Sequence, residues 1–301
     1  MPRDRASSKV PAVLSFLGVL FDGLAYGALL FLISVGLSVT LGLMGFINLS
    51  HGVFAMLGGY LLVTLMDRGG WSFAACLPLA FVATALLSLV LERTLYRPLY
   101  RSTHLKQVLL TVGIIFVAVA CATYFWGPGQ QRVTLPQALR GRLSAGGVDL
   151  SWYRLFLIAC GALITLALIF GLERTRFGAR IRASVDAHRT AEAMGIHVDR
   201  VFQITFAIGS GLAGLGGALG VNVLGLDPYF ALKYLAYFLL VVVVGGPGSI
   251  MGTLLAAVLL GVADTTGKYY VPEIGPFVIY LAMIVLLLAF PHGLLGRKKA
   301  L

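Results

Sequence analysis

The chain has 301 residues, of which 59% are hydrophobic and 12% charged, and it carries a formal net charge of +11. Soluble domains carry roughly 25% charged residues, so a soluble globular protein is excluded. The apolar runs are continuous rather than alternating, and several reach about 18 residues, enough to cross a ~30 Å hydrocarbon core; this excludes a β-barrel and predicts an all-α polytopic membrane protein.

Apolar segments are predicted at about 12–41, 44–66, 73–91, 107–126, 153–171, 202–224, 232–245, 250–266 and 276–292. Arg3, Arg5 and Lys9 precede the first of them. That run is too long for a cleaved signal peptide and reads as a retained helix. Between the first two runs lies Gly42–Tyr60, with a polar island of Asn48, Ser50 and His51 framed by Gly42, Gly45, Gly52, Gly58 and Gly59. Unpaired polar groups at membrane depth cost several kcal/mol. The island is therefore either a helix break lining a pathway or an interfacial turn whose polar groups meet headgroups and water.

The connection 127–152 contains Pro128, Pro136 and several glycines and is expected to be irregular, a surface for an external partner or an ordinary solvated loop. In 202–224, Gly209, Ala213 and Gly217 recur every four residues, which predicts a face of small residues for close helix packing. No strand precedes them and no phosphate-binding Lys follows, so a nucleotide fingerprint is excluded. Gly246 and Pro247 end a helix inside 232–266. Such a break is either a discontinuous helix at mid-membrane or a tight turn, and the charge count favours the turn.

Charge sets the topology. Arg93, Arg97, Arg101 and Lys106 lie in one connection, Arg174, Arg176, Arg180, Arg182, Arg189 and Arg200 in another, and Arg297, Lys298 and Lys299 in the tail. These belong on the cytoplasmic side, together with the C-terminus. Arg68, Arg132, Arg140, Arg142, Arg154, Lys233 and Lys268 fall on the other side. The count is consistent from residue 73 onward. Nine full crossings would put the N-terminus outside, against the rule; a re-entrant 44–66 would reduce the count to eight and return it to the cytoplasm. The positive charge reads as topology and as affinity for anionic membrane lipid, not as a nucleic-acid surface.

The cytoplasmic connection 172–200 mixes basic and acidic residues with small apolar ones. Asp186 is placed as an N-cap and Gly195 as a C-terminal stop, with a two-turn helix over 187–194 between them. Ala187, Ala191 and Met194 would share one face, away from Arg189 and Glu192. A short amphipathic helix of this kind suits a groove on a partner protein, and equally a lipid surface. Cys76, Cys121 and Cys160 all sit in apolar segments with neither metal-ligand spacing nor a disulfide pattern.

These motifs resemble the high-affinity branched-chain amino-acid permeases of ABC importers, of the LivH type. The likeness rests on Gly36–Tyr60, on Glu92-Arg93 with Tyr96-Arg97-Pro98, on Arg176–Arg200, on Val244 through Ser249, and on the closing run from Pro291 to Arg297. It implies a single permease domain over 1–301 in the inner membrane, with 172–200 as its coupling loop. It implies a second permease subunit of the LivM type, two ATPase subunits that bind the ATP, and an extracytoplasmic substrate-binding protein. No cofactor and no catalysis are implied for this chain. Ala191-Glu192-Ala193-Met194-Gly195, with Asp186 and Arg189, occupies the place of the coupling helix. Asn48, Ser50 and His51 become candidates for the translocation pathway or for holding the helix break. Leu49-Ser50 departs from the frequent Phe-Ala at this point, and some relatives carry urea or amides. An ion-driven carrier would instead need intramembrane ionisable groups, for which Asp22, Asp227 and Asp264 are the candidates, none with an obvious buried basic partner. A membrane enzyme finds no support in His51, His104, His188, His197 and His292, which are scattered.

Overall fold

The computed structural model describes residues 9–46, 48–100, 102–145, 148–186 and 188–295. Arg3, Arg5, Arg101, Ala187, Arg297, Lys298 and Lys299 lie outside the described residues, as do the side chains of Asp186 and Arg189. The elements are α1 (Lys9–Met44), α2 (His51–Asp67), α3 (Phe73–Leu91), α4 (His104–Trp126), α5 (Gln137–Arg140), β1 (Arg142–Ala145), β2 (Val148–Ser151), α6 (Trp152–Leu168), α7 (Arg176–Asp186), α8 (His188–Ala193), α9 (Val198–Leu224), α10 (Phe230–Lys233), α11 (Leu235–Gly245), α12 (Ile250–Tyr270) and α13 (Gly275–Ala289). Six spans, Leu14–Gly42, Phe73–Leu99, His104–Trp126, Trp152–Leu172, Val198–Leu224 and Ile250–Tyr270, are long and apolar enough to cross a membrane. His51–Asp67, Phe230–Gly245 and Gly275–Ala289 are shorter apolar helices.

Burial separates the inner helices from the outer ones. In α1 and α9, 83% of the most apolar window is buried, against 22% in α3, α4 and α6. Large apolar side chains such as Leu86, Phe116 and Leu163 face outward, as a lipid-covered surface requires. Between helices in lipid the hydrophobic effect adds little, so close backbone approach and its dispersion contacts must hold the bundle. The glycines of α9 supply that approach. Gly209 lies on Gly36 of α1, Gly214 on Thr84 of α3, and Gly217 on Ala55 of α2. A Cβ at Gly217 would fall 1.9 Å from the Ala55 carbonyl oxygen. Ala213 is fully buried between them.

Long-range contacts fix the directions. Gly42 meets Gly248, Ser38 bonds Thr253, and Gly23 meets Val262, so α1 runs antiparallel to α12. One end of the bundle gathers the end of α1, the turn at 246–249, the segment at 293–295 and the Arg97–Asp199 contact. The opposite end gathers the Asp22–Arg154 and Thr64–Trp126 contacts and the Gln131–Leu226 bridge. The start of α1 therefore lies at the end opposite Arg97, and α2, which begins within the bundle beside Ile33, runs to the far end. Gly246 and Pro247 fall in the turn between α11 and α12, where the Ser249 hydroxyl caps α12 by accepting from the Gly252 N–H at 3.0 Å.

One expectation is revised. The connection after α4 is not irregular throughout: it contains α5 and an antiparallel hairpin pairing Arg142 with Ser151 and Ala145 with Val148. The apolar run 232–245 lies in the helical stretch Phe230–Gly245, with a local turn at Tyr234 between α10 and α11 across which the Phe238 N–H still donates to the Tyr234 carbonyl at 3.1 Å. The Tyr234 hydroxyl donates to the Leu224 carbonyl at 2.6 Å, tying this joint to the end of α9.

The packing yields a test. Gly217→Leu must displace the α2 backbone and should cost at least about 3 kcal/mol. Gly113 of α4 has nothing within 4 Å of its Cβ position, so Gly113→Leu should be neutral. Denaturant titration of the purified proteins in detergent checks both.

Candidate translocation and coupling sites

The break between α1 and α2 is a buried polar knot. Asn48, Ser50 and His51 are 1%, 0% and 2% exposed. The His51 Nε2 lies 2.9 Å from the Ile33 carbonyl oxygen. A carbonyl only accepts, so Nε2 carries the proton in this contact. Ile33 precedes the last residue of α1 by eleven positions, about 16 Å of helical rise. The chain has therefore turned back inside the bundle before α2 begins. Alongside it, Gly52 packs on Ala231 of α10 and on the ring of Phe238 of α11.

Ser50 sits at the centre of the knot. Its Oγ donates to Asn48 Oδ1 at 2.7 Å and lies 2.5 Å from the Tyr96 hydroxyl. A serine hydroxyl has one proton, already given to Asn48, so Tyr96 is the donor in the second bond. Asn48 Nδ2 finds no partner among the described residues.

Tyr96 belongs to a π-helical turn, Glu92–Tyr96, that widens the end of α3. Such turns interrupt the helical ladder and often mark functional sites. Its ring meets Phe46 edge-on at 5.7 Å and Phe206 of α9 at 5.1 Å. Glu92, 1% exposed, accepts from the Tyr100 hydroxyl at 2.9 Å. One residue beyond the turn, Arg97 pairs with Asp199 in the first turn of α9. Arg93, Arg97, Asp199 and Gln203 then line one wall of a groove of about 600 Å³ whose other wall includes Glu192 and Gly195.

That groove adjoins the loop 172–200. The loop holds two helices, not one: α7 ends at Asp186, so Asp186 closes a helix rather than capping the next. α7 is pinned to the bundle by buried Ile181 and Ser184 and by Arg182 Nη1 donating to the Leu172 carbonyl at 2.6 Å. In α8, Ala191 is 3% exposed while Met194 is 78% exposed, so the two do not share a buried face. Ala193 and Glu192 are exposed as well. Gly195 has φ +81°, and its N–H donates to the Glu192 carbonyl at 2.9 Å. Ile196 N–H reaches back to the Ala191 carbonyl at 3.0 Å. This is a left-handed stop, a conformation that favours glycine.

The acidic residues weighed for an ion-driven carrier have basic partners, but partners that are partly exposed rather than buried. Asp22 pairs with Arg154, Asp227 with Lys233 at 4.0 Å, and Asp264 with Lys268 at 2.5 Å. Arg154 is remote from Asp22 in sequence, beyond what local spacing shows, whereas Lys268 stands four residues from Asp264 on the same helix. Sequence reading also missed Tyr96 as the partner of Ser50, although Tyr96 stood in one of the motifs that carry the family resemblance. Among the described residues no group of three or more His, Cys, Asp or Glu could hold a metal.

Ser50→Ala and Tyr96→Phe each remove the same bond between α2 and α3. Each should lower stability by about 1–2 kcal/mol, Ser50→Ala by more because it also loses the bond to Asn48, and the double variant should cost little more than Ser50→Ala alone. A double-mutant cycle on denaturant midpoints in detergent measures this.

Comparison with known proteins places these features in a family. Residues 19–287 match the family described as the permease component of the branched-chain amino acid transport system. The permease protein LivH of a high-affinity branched-chain amino acid transport system in Escherichia coli is 29% identical, over 95% of this chain and 97% of its own. BraD of Pseudomonas aeruginosa is 27% identical, over 96% and 99%. LivM of Escherichia coli is 25% identical, over 89% of this chain and 68% of its own. No solved structure matches the chain. The breadth of the family match and the near-complete coverage of the relatives establish that this polytopic membrane protein belongs to the family of branched-chain amino acid transport system permease components.

Proposed function

We propose that the chain is one of two membrane subunits of an ATP-binding-cassette importer in the cell's inner membrane, carrying branched-chain aliphatic amino acids inward. In this reading the end of the bundle with Arg93, Arg97, Arg174 and Arg200, and with it the C-terminus, faces the cytoplasm. ATP is bound by two partner ATPases, and an external binding protein delivers substrate. The chain itself holds no cofactor. A second permease of the LivM kind is the natural mate, since such proteins are themselves similar to this chain.

The observation that carries the reading is the continuity between the helix break and the exposed α8. Asp186, Arg189, Ala191, Glu192, Ala193, Met194 and Gly195 form the coupling element, and its exposed Met194 and Glu192 seat on an ATPase. Motion of α8 passes to Arg97 and Asp199 across the groove they share. From there it reaches the π-helical turn, and through Tyr96 and Ser50 the start of α2. Asn48, Ser50 and His51 act as the polar hinge of the pathway. In the conformation described they are buried and hold the break; a shift of α2 would turn Asn48, whose amide N–H groups lack a partner, toward the substrate.

Uptake of leucine by vesicles holding the whole complex should require ATP, the ATPases and the binding protein. Uptake by this chain alone, driven by a proton or sodium gradient, would refute the importer reading. Glu192→Arg and Gly195→Arg should cut co-purification of the ATPases and ATP-driven uptake at least tenfold while membrane insertion persists; unchanged co-purification would sink the placement of the coupling element.

A further inference from the structure

At the end of the bundle opposite the coupling loop, α12 carries a carboxylate that the transport scheme above does not use. The Asp264 side chain is 2% exposed. One oxygen, Oδ2, accepts from Lys268 Nζ at 2.5 Å, and Oδ1 has no partner among the described residues. A carboxylate buried to this degree with one oxygen unsatisfied is held against a substantial desolvation cost.

Its surroundings are aromatic. Tyr26 of α1 and Tyr237 of α11 face the Lys268 ammonium, with their ring centroids 5.7 and 6.0 Å from Nζ. Tyr234 and Tyr280 extend the same wall, at 5.8 and 6.2 Å from the Tyr237 ring. Tyr26, Tyr234 and Tyr237 all lie within electrostatic reach of the carboxylate. A carboxylate bordered by tyrosine faces is the chemistry that recognises an ammonium ion. Here an internal ammonium fills it. The Lys268 side chain is 46% exposed and stands on a flexible four-carbon stem, so it can leave toward solvent.

We propose that Asp264, with Tyr26 and Tyr237, is a binding site for the α-ammonium group of a zwitterionic amino acid, and that Lys268 is its internal occupant when substrate is absent. On arrival the substrate ammonium replaces the Lys268 ammonium on Asp264. The displaced lysine then meets the substrate's α-carboxylate, so one pair of residues serves both charges. The spare Oδ1 accepts a second N–H of the ammonium, which a lysine held four residues along the same helix does not reach. The inference rests on the reading of the chain as an amino-acid permease and adds to it the charge recognition.

A structural ion pair and a ligand site predict different outcomes. The assembled complex, without binding protein, is titrated calorimetrically with isoamylamine, which keeps a branched chain and an ammonium group but lacks the carboxylate. Asp264→Asn should weaken its binding at least tenfold. Lys268→Gln should tighten it at least threefold, because the internal competitor is gone. Both variants lose the same ion pair, so equal weakening in the two, no gain in Lys268→Gln, or no binding by the unaltered complex would each overturn the site. Should Asp264→Asn fail to assemble, Lys268→Gln alone still decides by the sign of its change. Isoamylamine binding that follows this pattern, in a complex that takes up no leucine with ATP, would overturn the importer reading and leave the ammonium site standing.

Discussion

The close approach of α9 to three neighbours is the constraint on which the rest of the structure depends. Apolar side chains gain little by leaving lipid for one another, so the bundle must win its stability from contact density. Glycines at 209 and 217 let α1 and α2 come within backbone contact of one central helix, and Gly214 lets the Thr84 side chain of α3 press against it. Everything functional is hung on that axis. The helix break leans on α9 through Phe54 and Phe206, whose rings are 5.8 Å apart. The π-helical turn leans on it through Tyr96, the groove through Asp199, and the α10–α11 joint through the Leu224 carbonyl.

The break before α2 would be untenable in lipid without its hydrogen bonds. Of the residues between α1 and α2, Phe46, Asn48 and Ser50 are buried in the bundle, where the polar groups of Asn48 and Ser50 cannot reach water. His51 takes a carbonyl of α1, and Ser50 links Asn48 to Tyr96 of the π-helical turn. Each bond joins a different pair of segments, so the knot also fixes how α1, α2 and α3 stand relative to one another. The bonds that satisfy polar groups at depth thereby also tie neighbouring segments together.

Charge is distributed in the same economical way. At the basic end, the Arg97–Asp199 pair is largely exposed and is worth little as stabilisation, with exposed pairs contributing on the order of 0.2–1 kcal/mol. Its value is positional, since it joins α3 to the start of α9 beside the groove. At the far end, Asp264 is buried and half satisfied in an aromatic wall. The two ends thus present different chemistry: an open, basic groove, and an enclosed acidic group with tyrosine faces.

How much of this could be read from the chain divides along physical lines. Composition and apolar run length decided that the protein is a helical bundle in a membrane, because the bilayer imposes a length and a polarity on any segment that crosses it. Spacing of small residues marked α9 for close packing, and Gly195 marked the end of α8, because both are local backbone requirements. Local rules also placed Asn48, Ser50 and His51 at a discontinuity. They failed where the partner is distant: Ile33 for His51, Tyr96 for Ser50, Arg154 for Asp22, Tyr26 and Tyr237 beside Asp264. Sequence by itself determined which stretches enter the membrane and which residues are costly there. Only the tertiary structure decided how that cost is met, because the bonds that meet it are made between segments whose separation along the chain carries no information about their separation in space.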